Sequence, residues 1–273
     1  MRDAVGCVRK RRAFMTDQFD KTEKQYIELT SGIQRFEHFS VYTDPFLPQI
    51  FSHNFVQLHR TFPLDKLLPF FSSVPGMLQA NYIHVKAAPE HAFPLLLKQT
   101  LVKQGCVVED ELFFARKLEN GDLQAGHPLT AWGTEKSLAD GASIMNIYDA
   151  LYIGEAAAEQ KLERKYPLYK DGTIMLVVCY SDASQTIPIG CGELFINKAD
   201  KTAKIEEVAI LDQFQRKGYG SILMNELMAA AKLNGMDTVY LVTSGMDGVN
   251  RFYEKLGFKR FRRVHTIFHY FLT

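Results

Sequence analysis

The segment Gln215-Arg216-Lys217-Gly218-Tyr219-Gly220 decides how this chain is read. It separates a strand-like run, Ile205 to Leu211, from a helix-like run, Ser221 to Asn234. Two glycines one residue apart let the backbone turn sharply and let a ligand approach it closely. The helix after the turn begins with main-chain N–H groups that have no intrahelical partner, and the helix dipole adds partial positive charge there. Such a start suits an anion, and a pyrophosphate in particular.

Two other phosphate-binding readings fail on the same residues. A dinucleotide fingerprint needs Gly-x-Gly-x-x-Gly after a strand, and its third glycine position here is Leu223. A phosphate loop ends in Gly-Lys-Ser/Thr, which is absent. The turn alone would also fit a plain strand–turn–helix joint without a ligand. Two later segments argue against that joint: a second apolar run, Thr238 to Thr243, then Gly248-Val-Asn-Arg-Phe-Tyr-Glu-Lys-Leu-Gly-Phe258.

This order resembles the GNAT superfamily of acyl-CoA-dependent N-acetyltransferases. Residues 215 to 220 match the family's Gln/Arg-x-x-Gly-x-Gly/Ala motif, and Tyr253 to Phe258 match its late Tyr-x-x-x-Gly-Phe signature. Glu206-Glu207-Val208-Ala209-Ile210 reads like the family's fourth strand. The resemblance covers the chain from about residue 130 onward. It implies acetyl-CoA as cosubstrate. The backbone of Val208, Ala209 and Ile210 would meet the pantetheine amides, and the N–H groups from Gln215 through Arg216, Lys217, Gly218, Tyr219 and Gly220 to Ser221 would hold the pyrophosphate. One departure stands out: relatives often carry an asparagine seven residues before the tyrosine, where this chain has Met246.

Composition sets the frame for this reading. The chain has 273 residues, 47% apolar and 23% charged, as expected of a globular protein with a sizeable core. A net charge of +1 gives no global field for nucleic acid or a membrane surface. Basic residues cluster only locally, at Arg9 to Arg12 and at Arg260, Arg262 and Arg263. The cysteines, Cys7, Cys106, Cys179 and Cys191, show no metal-like spacing and suit reduced thiols. No run approaches the roughly 18 apolar residues of a membrane helix, and the N-terminus does not read as a signal peptide. A cytoplasmic protein is the expectation. The histidines form no metal-binding pattern, so no metal is expected. Basic residues do not interleave with the first-half aromatics as a nucleic-acid platform would require.

The chain divides into residues 1–126 and 127–273, at the loop running from Glu119-Asn-Gly-Asp122 to Ala125-Gly-His-Pro128. In the first part, a helix is expected near Thr22 to Thr30. Strands are expected at His53 to His59, Tyr82 to Lys86 and Val107 to Arg116. A short helix at Leu64 to Phe71 should be stopped by Pro75-Gly76, and a longer one should run from Pro89-Glu90 to Lys103. This describes a smaller α/β domain, compatible with a degenerate GNAT-like half. In the second part, a helical region, Ser143 to Tyr166, breaks near Gly154. Strands at Thr173 to Tyr180, Pro188 to Ile196 and Ala203 to Leu211 form a meander. A strand–helix–strand crossover and a last strand near 262 to 271 complete a mixed α/β sheet, the GNAT-like domain.

For chemistry, the family's usual route is direct attack by an amine on the thioester in a ternary complex. Glu206 and Glu207 are the candidate bases, with Glu193 on the preceding strand as a third. Alternation would send Glu206 and Glu207 to opposite faces, unless the strand carries the bulge common in the family. Tyr253 matches the position of the family's proton donor to the leaving thiolate, or else is a packing aromatic beside Phe252. The implied activity is N-acetylation of a primary amine on a small molecule. The alternative is an acyl-CoA-binding sensor or scaffold without turnover. Family C-terminal strands often pair between subunits, so a homodimer is expected.

Overall fold

The computed structural model describes residues 18–270, apart from 90, 92, 120–123 and 246. Its elements begin with α1 (residues 18–28), β1 (Gly32–Arg35), β2 (Phe39–Thr43), β3 (Phe55–Leu58), α2 (Leu67–Phe71), α3 (Val74–Leu78), β4 (Tyr82–Lys86), α4 (Leu95–Lys103) and β5 (Val107–Lys117). They continue with β6 (Thr130–Trp132), α5 (Glu135–Ile153), α6 (Glu155–Lys170), β7 (Ile174–Tyr180), β8 (Pro188–Asn197), β9 (Thr202–Ile210), α7 (Tyr219–Leu233), β10 (Thr238–Ser244), α8 (Asp247–Lys255) and β11 (Lys259–Tyr270).

Two compact units form, and they are not consecutive halves. One combines residues 18–26 with Ala115–Leu241, and the other combines Ile27–Phe114 with Val242–Thr273. A cut at 126 does not follow these units, for a physical reason. The C-terminal strand β11 hydrogen-bonds antiparallel to β4, with Ile267 opposite Val85, and its other neighbour is β5. The last segment of the chain therefore completes the sheet begun by the first. The loop 120–123 lies outside the described residues.

In the first unit, β6, β7, β8 and β9 form an antiparallel meander, and β10 runs parallel to β9 after the α7 crossover. Helices cover both faces. On one side, a Cβ placed on Gly141 of α5 would sit 2.6 Å from Leu176. On the other, a Cβ on Gly192 of β8 would sit 2.8 Å from Leu227 of α7. Glycine at both positions lets helix and sheet approach closely. Leu223, Met224, Leu227 and Met228 of α7 are buried, each contributing about 1.5–3 kcal/mol of apolar burial.

In the second unit, β1, β2 and β3 are antiparallel, β3 runs parallel to β4, and β11 lies beyond β4. Val41, Val56, Leu67, Phe71, Leu78, Val85, Leu101 and Ile267 form its core beneath α2, α3 and α4.

Sequence expectations fail at element starts. Helix α5 begins eight residues before Ser143, because Thr134 and Ser137 form a reciprocal capping box. Gly154, at φ 81°, separates α5 from α6 as expected. Pro75-Gly76 lies inside α3 instead of stopping a helix, with the proline in the first turn where no N–H is needed. Helix α4 starts at Leu95, with Pro94 in extended backbone just before it. Strands β1, β2 and β6 are unanticipated, although β2 is as long as β4 and rich in strand-forming residues.

Candidate active site

The Gly turn has the backbone its sequence requires. After Ile210 the chain makes a short 3-10 turn, Asp212–Phe214, and then extends through Gln215. Arg216 has φ 58° and Gly218 φ 93°, both left-handed. Nothing lies within 4 Å of a Cβ built on Gly218, so glycine is needed there for the backbone angle, not for space. Residues 216–218 are exposed. The N–H of Gln215 donates to Asp212 O at 3.2 Å and that of Ser221 to Gly218 O at 3.0 Å. The ends of the expected 215–221 donor run are thus engaged. The N–H groups of residues 216–220 donate to no protein group among the described residues.

Gln215 shapes the turn from within. Its side-chain amide donates to Ile210 O at 3.0 Å and to Asp212 Oδ1 at 2.8 Å. The hydroxyl of Tyr148, on α5, also donates to Ile210 O. Two donors fill that carbonyl's lone pairs. Of the three β9 residues expected to meet the pantetheine, Ile210 thus has its carbonyl occupied.

Strand β9 carries a bulge at the place where parity had to be broken. Cys191 pairs with Ala209 and Glu193 with Glu206, so Glu207 and Val208 stand opposite Gly192 alone. Glu207 adopts φ 53°, an uncommon angle for a side-chain-bearing residue. Strict alternation is lost, and Glu206 and Glu207 join the same charged cluster. The ladder from β9 to β10 covers Thr202 to Lys204 against Thr238 to Tyr240.

This cluster is the part of the site that sequence reading missed. Glu193 is fully buried and accepts from Lys165 Nζ at 2.7 and 2.9 Å, Tyr169 Oη at 2.5 Å and Tyr26 Oη at 3.1 Å. Four hydrogen bonds saturate it, which makes it a structural group. Lys165 also reaches Glu207 Oε1 at 3.4 Å. Lys161 bridges Glu207 at 2.8 Å and Asp149 at 2.6 Å. Across the bulge, Lys204 bridges Glu206 at 2.5 Å and Glu23 at 2.7 Å. Lys161, Lys165 and Tyr169 are spaced four apart on α6. That spacing placed them on one helix face and was the signal available in the sequence.

Burial raises the Glu206 carboxyl above its ordinary range, against the opposing pull of Lys204. Burial would lower Lys161, but Glu207 and Asp149 outweigh it and hold the ammonium charged. Burial, followed by Glu193, pushes the phenols of Tyr26 and Tyr169 up, so both remain protonated donors. Cys106, Cys179 and Cys191 are unsuited to nucleophilic work: burial raises Cys191 and Cys106 and pushes Cys179 up to about 11.

Tyr253 belongs to the second compact unit, on α8. Its ring lies among Phe114, Phe252 and Phe258, with centroids 6.3, 5.3 and 6.0 Å away. Met246 lies outside the described residues, as do Cys7 and the Arg9 to Arg12 cluster. Among the described residues no group of His, Cys, Asp and Glu is placed to hold a metal ion. No helix there is long and apolar enough to cross a membrane.

Known proteins resemble this chain. A model of the Acetyltransferase (GNAT) family matches residues 142–258. The Bacillus subtilis (strain 168) protein described as uncharacterized N-acetyltransferase CgeE is 66% identical over 259 residues, 95% of this chain and 100% of its own length. The chain belongs to the GNAT family of acetyltransferases. The matched residues 142–258 fall in both compact units. A functionally unknown conserved protein from Staphylococcus epidermidis ATCC 12228 superimposes with a TM-score of 0.72 at 15% identity, over 89% of this chain and 96% of its own. A GCN5-related N-acetyltransferase from Kribbella flavida does so with 0.59 at 15% identity, over 90% and 92%. The family expected from Gln215 to Gly220 and Tyr253 to Phe258 is the one found, with a mixed α/β sheet in a two-part GNAT arrangement.

Proposed function

We propose that the protein transfers an acetyl group from acetyl-CoA to the primary amine of a small molecule, by direct attack in a ternary complex. The observation carrying this reading is the run of N–H groups at 216–220, ahead of α7 and without protein acceptors among the described residues. These donors and the helix dipole suit a diphosphate. The main chain of Val208 and Ala209 beside the bulge offers hydrogen-bonding groups to the pantetheine amides.

In the reaction the amine nitrogen bonds to the thioester carbonyl carbon, the carbon–sulfur bond breaks, and the thiolate takes up a proton. Glu206 is the proposed base: burial raises its carboxyl above the ordinary range, against the pull of Lys204. Glu207, paired with Lys161 and Lys165, shapes the field around it. Tyr253 is the proposed proton donor to the thiolate. The buried thiols Cys106, Cys179 and Cys191 suit a reducing, cytoplasmic setting. A homodimer would use a surface other than the edges of β11, since β4 and β5 of the same chain flank that strand.

Calorimetry with acetyl-CoA, followed by thiol-release assays over a panel of amines, tests the reading. Folded protein that does not bind millimolar acetyl-CoA rejects it. Binding without thiol release for any amine would leave an acyl-CoA sensor instead of an enzyme.

A further inference from the structure

The second compact unit contains a cavity of about 1100 Å³, whose lining includes Ser244 and Gly245 at the end of β10. Helix α4 lines it with Lys98, Val102 and Lys103, and β5 lines it with Val108, Glu109 and Asp110. Its size is ample for a small organic ligand.

One wall holds a line of charged groups. Asp110 Oδ1 lies 2.5 Å from His265 Nδ1, and Arg263 Nε lies 3.4 Å from Asp110 Oδ2. Lys98 Nζ stands 3.3 Å from His265 Nε2 and 3.4 Å from Nδ1. His265 is buried and stacked on Phe93, with centroids 5.7 Å apart. A carboxylate only accepts, so Nδ1–H donates to Asp110 and Nε2 is left to accept from Lys98.

This geometry fixes which charge meets the cavity. Asp110 spends both oxygens on His265 and Arg263, so its charge is neutralised within the wall. Lys98 spends one N–H on His265, and an ammonium has three. The anchored charge at the cavity is therefore positive. Lys103 and Glu109, both exposed in the lining, carry opposite charges, so Lys98 sets the sign at the cavity. The remaining wall is apolar, through Val108 and Val102, the latter 59% exposed.

We infer that this cavity binds a short-chain organic carboxylate. Its anionic head meets Lys98 and Lys103, and its alkyl part lies against Val102 and Val108. Lys98 is the recognition residue, and the His265–Asp110 pair holds it in position. The inference does not depend on the acetyl-transfer reading, because it concerns other residues and is read by binding alone.

Calorimetry on the full chain tests it, with butyrate as probe and with butylamine and inorganic phosphate as comparisons. Butyrate should bind saturably, butylamine should not bind, and phosphate should bind at least tenfold more weakly because it leaves the valines uncovered. Lys98→Met should weaken butyrate at least tenfold, and Lys103→Met, at an exposed position where folding is not at stake, a few-fold. His265→Phe, which keeps a ring on Phe93, should weaken butyrate without changing acetyl-CoA binding. No saturable butyrate binding, equal binding of phosphate, or butyrate affinity unchanged in both lysine variants would overturn the inference.

Discussion

The side-chain amide of Gln215 donates to the carbonyl of Ile210, five residues earlier, at 3.0 Å. The glutamine of the motif thus ties the end of β9 to the entrance of α7, instead of facing the ligand. The five donors from Arg216 to Gly220 are aimed by that tie. Gln215→Ala removes bonds worth about 1 kcal/mol each. Acetyl-CoA should bind roughly tenfold more weakly by calorimetry, with the melting temperature little changed. Unchanged affinity would show that the turn keeps its shape unaided.

Gly218 and Gly141 separate two roles of glycine. Gly218→Ala meets no neighbour but forces a left-handed angle on a side-chain-bearing residue, costing about 1–2 kcal/mol. That strain sits in the donor turn, so cosubstrate affinity should fall. Gly141→Ala drives a methyl onto Leu176 and Val178 and should cost about 1–3 kcal/mol of stability. Denaturant titration of both, with cosubstrate affinity measured alongside, should show affinity falling in the first only.

The buried pair Lys165 and Glu193 predicts a large stability effect. Lys165 is 4% exposed and Glu193 is fully buried. Lys165→Met leaves the carboxylate with two tyrosine hydroxyls and no cation, which should cost about 3–5 kcal/mol. The double change Lys165→Met with Glu193→Gln should recover part of the loss. A single-variant loss below about 1 kcal/mol would contradict burial of the charge.

Glu206 and Glu207 should differ in function. Glu206→Gln removes the proposed base and should lower kcat by about 100-fold or more, with acetyl-CoA affinity nearly unchanged. Glu207→Gln should lower kcat less and shift the acid limb of the pH–rate profile. Equal kcat losses with unshifted profiles would remove the distinction between them.

His84 predicts acid sensitivity in the second unit. It is buried among Phe51, Phe55 and Phe268, and donates from Nδ1 to Phe51 O at 2.7 Å. Burial first, then Lys86, lowers it from 6.5 to about 3. The unfolded chain therefore binds more protons between those values. The contribution to stability is complete above pH 6.5 and declines as pH falls toward 3, by about 1.4 kcal/mol per pH unit. His84→Phe should flatten this dependence in denaturant titrations at several pH values.

Motif order made the catalytic family legible from residues 215 to 220 and 253 to 258, because few backbones need that glycine angle between a strand and a helix. The meander was equally readable, since β7, β8 and β9 are apolar runs separated by turn residues. The charged cluster was not. Pairing of Lys161 and Lys165 with Glu193 and Glu207 depends on which side of the sheet α6 covers, and alternation along β9 misleads once the Glu207 bulge intervenes. The cavity beside Lys98 was hidden for a similar reason: Asp110 and His265 are 155 residues apart in the chain. Unit boundaries were obscured because β11, written last, joins strands written first.

That insertion bears on how the protein is made. A ribosome delivers β1 to β5 long before Lys259–Tyr270 emerges, so β4 and β5 must wait without the strand that separates them in the finished sheet. During synthesis the first segment holds an open, apolar gap, while the meander and α7 have all their own strands except the late β10. The amino-terminal portion therefore carries open strand edges the longest, and a stop codon shortly before residue 259 would strand both edges even though every residue of the Gly turn had already been translated.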